Sequence, residues 1–408
     1  LTYALVAKGR PLHIFLQGEI DTEVDAVFLE PEMRVGAPKE IKDNEYRVGL
    51  TPSSVAELVQ AGHEAFIERG AGAGAGLSDS DYAAAGASLV DGPEALFAAA
   101  QLIVKVKEPQ RREIAYLRPD HVLFAYFHLA ADAELTRELM ASGAHCIAYE
   151  TVTAPGGGLP LLAPMSEIAG RLATQVGAHF LEKQAGGRGV LLAGAPGVPP
   201  ADVLVLGAGS VGVQAAAIAL GMGASVLVAD RNPDALRRLE TRFGFAARTI
   251  YSTRAAIAES VKRADLVICA ALAPGAKAPI LITRDMLATM KRGAVIVDVA
   301  IDQGGCCETS RPTSHSDPVY VIDGVVHYCV TNMPGITPRT STFALNNATL
   351  PFVRALADKG WRRALEDDPY LRAGLEISGG RIISAPVAAA HSLPLASNFN
   401  ALDSAGAA

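Results

Sequence analysis

The stretch that most constrains the fold is Val203-Leu204-Val205-Leu206, followed at once by Gly207-Ala208-Gly209-Ser210-Val211-Gly212. A short apolar run bounded by glycine reads as a buried strand. Glycines gather in many turns, so the G-x-G-x-x-G pattern counts only in this setting, between a strand and a helix expected over residues 211–220. Gly207 permits the tight turn, Gly209 leaves the backbone open to a pyrophosphate, and Gly212 lets the helix pack closely. The helix start directs its N–H groups and positive dipole end to the same place. A second apolar run, Ser225-Val226-Leu227-Val228-Ala229, ends at Asp230, about twenty residues on, where a carboxylate accepts hydrogen bonds from adenosine ribose hydroxyls. The segment therefore reads as a dinucleotide site. Asp230 opposes a 2′-phosphate and favours NAD over NADP, while Arg231 beside it works the other way, because a guanidinium accepts phosphate.

The rest of the chain supplies the same alternation. Arg34-Val35-Gly36 reads as a short strand; Thr51 caps a helix whose first turn holds Pro52 and which stops at Gly62. Leu102-Ile103-Val104, Val122-Leu123-Phe124 and Cys146-Ile147-Ala148 read as buried strands, with a helix over 132–142 capped by Asp132. A long helix capped by Ser166 is expected over 166–184, and another over 340–359 with a kink at Pro351. Strands alternating with helices imply α/β architecture and parallel sheets. At 408 residues there is room for two lobes with a helical crossover and a cleft between them. A formal net charge of -7 gives no electrostatic reason to seek nucleic acid, and no apolar run is long enough to span a bilayer. Five cysteines, an odd count, with three in apolar runs, read as reduced core thiols of a cytoplasmic protein; adjacent Cys306 and Cys307 lack the spacing of a redox motif. Residues 1–32 carry none of the αβ pattern and read as a dispensable extension, poorly ordered and unlike a signal peptide.

In open α/β sheets, ligands bind beyond the carboxyl ends of the strands. Four polar residues fall there: Arg47, Lys107, His128 and Asp302. Singly, each has a plainer reading: a surface guanidinium, a solvated pair with Glu108, a loop histidine, a helix cap. Together they put two cations, an imidazole and a carboxylate on one cleft. His179 reads as packing on an apolar helix face, and His63, His121 and His327 as strand-flanking residues without acidic or cysteine partners. With no H-E-x-x-H, no Cys/His cluster and no G-x-S-x-G, neither a catalytic metal nor a serine hydrolase is expected.

The segment from Met33 through Pro52 resembles the start of bacterial alanine dehydrogenases. So do Lys105-Val106-Lys107-Glu108-Pro109, Phe127-His128-Leu129-Ala130-Ala131, Ala163-Pro164-Met165-Ser166-Glu167, Ile301-Asp302-Gln303-Gly304-Gly305 and Thr331-Asn332-Met333-Pro334. The resemblance runs in order from Met33 to about His391, and residues 1–32 have no counterpart in it. It implies two Rossmann-like doubly wound domains, the first discontinuous: 33–160 with 339–403 for substrate and catalysis, and 161–338 for NAD. It implies a homohexamer acting on L-alanine or on pyruvate and ammonia. Arg47 and Lys107 match the family's substrate-binding positions, and His128 and Asp302 its catalytic pair. Ser166, Gly207, Gly209, Gly212, Asp230, Ser252, Leu272, Val299, Ile301, Asp302, Asn332 and Met333 match cofactor contacts. One departure is Ala235, where some relatives carry a basic residue near the adenosine, which leaves Arg231 or Arg237 for that place.

The resemblance implies NAD-dependent oxidative deamination of L-alanine. Three alternatives stand beside it: the NAD-binding subunit of a proton-translocating transhydrogenase, a dehydrogenase of lysine- or saccharopine-like substrates, and a non-catalytic NAD sensor. His128 argues against the first, a lineage that generally lacks a histidine there, and the four cleft residues together argue against the last. The carboxylate of Asp230 predicts a higher kcat/KM with NAD than with NADP. Steady-state kinetics with both cofactors checks it, and equal or better use of NADP would transfer the ribose site to Arg231.

Overall fold

The computed structural model describes residues 32–271 and 277–396. Residues 1–31 of the expected 1–32 extension, Leu272 and residues 397–403 of the 339–403 segment lie outside the described residues. Six strands come first: β1 (Arg34–Ala37), β2 (Glu64–Glu68), β3 (Ser88–Val90), β4 (Leu102–Val104), β5 (Val122–Ala125) and β6 (His145–Ala148). Seven more follow: β7 (Asp202–Leu206), β8 (Ser225–Asp230), β9 (Ala247–Tyr251), β10 (Leu266–Cys269), β11 (Val295–Asp298), β12 (Val319–Ile322) and β13 (Val325–Tyr328). The chain then adds β14 (Leu375–Ser378) and β15 (Arg381–Ile382) to the first group. One sheet has the order β15-β14-β6-β5-β4-β1-β2-β3, the other β12-β13-β11-β10-β7-β8-β9. Pairing is parallel except at one margin of each sheet, where β14, β15 and β12 run antiparallel to their neighbours.

Strands covered on both faces need apolar side chains on both. Every residue of β4, β5, β10 and β11 is accordingly buried. In each sheet the strand order reverses beside the first strand laid down. β1 lies between β2 and β4, and β7 between β8 and β10. That reversal leaves a crevice at the carboxyl ends of the strands.

Five helices position the crevices: α1 (Pro52–Gln60), α2 (Ala133–Ser142), α3 (Ala163–Phe180), α4 (Ser210–Gly221) and α5 (Pro338–Asp367). Thr51 caps α1 by accepting from the Ser54 amide, and Asp132 caps α2. Helix α3 carries the chain from the first sheet to the second, and α5 carries it back. Met165, Ile168, Leu172 and Ala173 bury one face of α3, each larger side chain contributing roughly 1.5–3 kcal/mol. Helices α3 and α4 touch backbone to side chain: a Cβ on Gly170 would stand 2.2 Å from the Val211 carbonyl oxygen, and Thr174 donates to the Ala215 carbonyl at 2.9 Å.

Several local expectations are corrected. Ser166 does not cap α3, which starts at Ala163 and has Pro164 in its first turn. The break in α5 is at Gly360 (φ 71°, ψ 154°) and not at Pro351, because the chain turns through a conformation that glycine adopts at little cost. His179 is exposed, not packed, and faces Glu182 at 3.5 Å. His63 does have an acidic partner, Asp358 at 2.7 Å, supplied from 295 residues away. All five cysteines are buried and free. Among the described residues no helix is long and apolar enough to cross a membrane.

Candidate functional site

The glycine turn closes as its sequence requires. Gly207 takes φ +111°, and a Cβ there would lie 2.7 Å from the carbonyl of Ala270, just beyond β10. A Cβ on Gly212 would fall 1.8 Å from the Gly207 carbonyl oxygen, so only glycine lets α4 start this close to β7. Gly209, the residue before α4, has nothing within 4 Å of its Cβ position, which leaves room for a phosphate group against the helix start. The Asp230 carboxylate accepts from the Ala208 amide at 2.6 Å and the Asn232 amide at 2.7 Å, tying the end of β8 to the turn. Ser252 follows β9 and donates its amide to the Asp230 carbonyl at 3.0 Å. An open helix start flanked by an acid at the neighbouring strand end fits an adenine dinucleotide. Ala235 is buried, Arg231 is exposed, and Arg237 is paired to Asp234.

Beyond β1, the Arg47 guanidinium is 2% exposed. Its Nε donates to Glu45 Oε1 at 2.7 Å and its Nη2 to Glu45 Oε2 at 2.5 Å, while Nη2 also reaches Asn332 Oδ1 at 2.7 Å. Nη1 points to the Met165 thioether at 3.1 Å, one residue before Ser166. Burial works against the Glu45 charge, but Arg47, Asn332 and Lys107 outweigh it and hold its pKa at about 2. Asn332, in the left-handed region at φ 56°, follows β13, so this cluster joins the loops of both sheets.

Lys107 follows β4. Its ammonium has no hydrogen-bond or ion-pair partner among the described residues. Burial and the nearby charges of Arg47 and Lys42 push its pKa down, against Glu45 and Glu108. His128, after β5, also has a left-handed backbone (φ 54°). Glu150 holds it: Oε1 accepts the His128 amide at 2.5 Å and lies 3.6 Å from Nδ1. Behind Glu150, burial and the Glu150 charge push the Glu376 carboxyl on β14 up to about 8.

Asp302 lies in the 3-10 turn Val299–Gln303 after β11. Solvent reaches its side chain, yet protein mass around it raises its pKa, opposed by Lys107, His128 and the Asn332 amide. The charges of Lys107 and His128 act on Asp302, and that of Arg47 acts on Lys107, so the four candidate residues lie near one another. Val299 and Ile301 belong to the same turn and Met333 follows Asn332; Ile301 and Met333 are buried. The turn is held from below by Asp298, whose carboxylate accepts from the Cys306 amide at 2.8 Å, the Ser310 hydroxyl at 2.6 Å and the Ala300 amide at 3.2 Å.

Glu45, Glu150 and Asp298 are absent from the sequence reading. Glu45 carried a usable signal: in an extended segment, residues two apart share a face, which puts an acid beside Arg47. Glu150 and Asp298 carried none, since most of their partners are backbone amides and the side chains they meet, His128 and Ser310, lie 22 and 12 residues away.

Two doubly wound lobes meeting at a glycine-turn crevice and a cation-lined cleft define a dinucleotide-binding oxidoreductase. The chain belongs to the alanine dehydrogenase/PNT family: the model of that family's N-terminal domain matches residues 36–169, and that of its C-terminal domain residues 173–385. The alanine dehydrogenase of Halomonas elongata is 58% identical over 361 residues, 88% of this chain and 97% of that protein. A solved L-alanine dehydrogenase superposes with a TM-score of 0.86 at 52% identity, covering 88% of this chain and 99% of that one. The transhydrogenase of Sinorhizobium meliloti is more distant, with a TM-score of 0.74 and 28% identity over 86% of this chain and 99% of its own. Membership of this family together with the Rossmann-like second lobe implies a nicotinamide cofactor.

The Asp298 cradle predicts that Asp298→Asn destabilises the protein by about 1–3 kcal/mol, because an amide nitrogen must then face backbone donors. Denaturant unfolding measures it, and unchanged stability would show that the carboxylate does not hold the turn.

Proposed function

We propose that the chain catalyses NAD-dependent oxidative deamination of L-alanine to pyruvate and ammonia, and the reverse reductive amination. The observation that carries this reading is a half-buried Lys107 ammonium, unpartnered among the described residues, whose charge acts on Asp302 as that of His128 does and is itself opposed by Arg47. Two cations in a partly dry cleft suit a small carboxylate. In this reading residues 33–160 and 339–403 form the substrate lobe and 161–338 the NAD lobe. Ser166, Gly207, Gly209, Gly212, Asp230, Ser252, Val299, Ile301, Asp302, Asn332 and Met333 hold the dinucleotide, with Leu272 in the segment outside the described residues. When bound, NAD supplies the acceptor for the hydride leaving the alanine Cα.

The chain's own residues bind, orient and move protons. Arg47 and Lys107 hold the substrate carboxylate and so fix the direction of the Cα–H bond. Loss of the hydride leaves an iminium, and Asp302 takes a proton from the water that attacks it. His128 relays protons as the carbinolamine forms and collapses to the ketone and ammonia, a role an imidazole fills because its two nitrogens can donate and accept. Glu150, against Nδ1, orients that ring.

The chain is also proposed to assemble as a homohexamer. Sedimentation velocity checks this, and a fully active monomer would refute it. NADH formation from L-alanine, set against glycine, L-lysine and saccharopine, tests the activity. His128→Ala and Asp302→Asn should each lower kcat by roughly 10²-fold or more, the size usual for a positioned acid or base. NADH fluorescence should report little loss of cofactor affinity in His128→Ala, and Arg47→Lys should mainly raise KM for alanine. Near-normal kcat in both His128→Ala and Asp302→Asn would end this mechanism.

A further inference from the structure

The five N–H groups of Arg47 are nearly all committed within the protein. Glu45 takes the side-on fork formed by Nε and Nη2 at 2.7 and 2.5 Å, and Asn332 takes the other Nη2 hydrogen at 2.7 Å. On Nη1, one hydrogen meets the Met165 sulfur at 3.1 Å, a weak acceptor, and one has no partner among the described residues. A ligand carboxylate therefore cannot take the usual side-on grip on Arg47 while Glu45 is in place. Among the described residues, the donors of this pair left without an oxygen partner are Nη1 of Arg47 and the ammonium of Lys107.

We propose that Glu45 is a positioning residue of the substrate-carboxylate site: by occupying the side-on fork of Arg47, it makes the incoming carboxylate bridge Arg47 Nη1 and Lys107 Nζ. The inference rests on the reading of Arg47 and Lys107 as substrate-binding residues. Without Glu45 the fork opens, the carboxylate slides onto it, and Cα leaves the hydride path. Lys107 depends on Glu45 as well. Among the charged groups around it, Arg47 and Lys42 disfavour its protonated form, while Glu45, Glu108 and Asp302 favour it. Removing the Glu45 charge lowers the Lys107 pKa further, so the carboxylate loses that partner at a lower pH.

The test uses the full chain in the reductive direction, with pyruvate varied at saturating ammonium and NADH. Glu45→Gln removes the charge at constant size; Glu45→Asp keeps the charge but shortens its reach. In Glu45→Gln, kcat/KM for pyruvate should fall about 10-fold or more, in line with the sensitivity of catalysis to misplacement of the reacting group. Its alkaline limb should move to lower pH, with NADH affinity by fluorescence falling less than kcat/KM does. Glu45→Asp should also lose kcat/KM but keep the wild-type alkaline limb. An unmoved limb in Glu45→Gln, or the same limb shift in both variants, overturns the inference while leaving the activity standing. If Glu45→Gln does not fold, Glu45→Asp decides: wild-type kcat/KM there overturns the inference, and reduced kcat/KM with an unmoved limb supports it. A wild-type chain that turns over neither alanine nor pyruvate overturns the proposed function and this inference with it.

Discussion

The cleft depends on a buried guanidinium shared between two lobes. Arg47 belongs to the loop after β1 and Asn332 to the loop after β13, and both contact the Glu45 carboxylate. Leaving either partner of a buried ion pair alone costs about 3–5 kcal/mol, so the three side chains hold one arrangement. Their packing reaches into the backbone: a Cβ on Gly335 would stand 2.7 Å from Asn332 Nδ2. The interaction therefore sets where the two rims of the cleft meet. The same loops carry the candidate substrate cations on one side and Asn332 and Met333 on the other.

Two lysines two positions apart show how burial sorts charge into structure or site. Lys105 is almost wholly buried and donates to Glu113 at 2.7 Å and Glu40 at 3.1 Å. Burial opposes its charge, but the two carboxylates outweigh it and raise its pKa. Glu40 uses its other oxygen to accept the Val106 amide at 2.7 Å. The Lys105 cluster thus anchors the backbone at which Lys107 departs. Lys107, with a lowered pKa and no ion-pair partner among the described residues, is what an anchored loop can present to a ligand. Without the anchor, an unpaired ammonium in a half-dry cleft would turn toward solvent, as long lysine stems readily allow.

Much of this was legible in the chain because the signals were local or topological. The glycine turn has a steric reason for each glycine, and the steric reasons hold at Gly207 and Gly212. The rule that ligands bind beyond the carboxyl ends of parallel strands put Arg47, Lys107, His128 and Asp302 forward as candidates, and the family resemblance gave them their proposed roles. What was missed depended on distance in sequence or on backbone partners. Asp358 reaches His63 across 295 residues, and no pattern near His63 announces it. Ser166 looked like a helix cap because serine caps well, but Pro164 fits the first turn and the helix starts earlier. Pro351 looked like a kink because it removes a donor, yet the chain breaks at Gly360, where only glycine turns at low cost.

Backbone strain points to the same place by an independent route. Among the described residues, five that are not glycine have positive φ, and three of them, Asn44, His128 and Asn332, border the cleft. Each such conformation costs on the order of 1–3 kcal/mol and persists only where the surroundings impose it. Glycine would remove the cost, and this chain uses glycine freely in its other turns. At His128 and Asn332 glycine would also remove the imidazole facing Glu150 and the amide that joins Glu45 to Arg47. The imposing contacts are visible: Glu150 accepts the amides of Phe127 and His128, and the Asn332 carboxamide is fixed at both its oxygen and its nitrogen. The strain is held in place by the residues that line the site, so the geometry of the cleft is set before any ligand enters it.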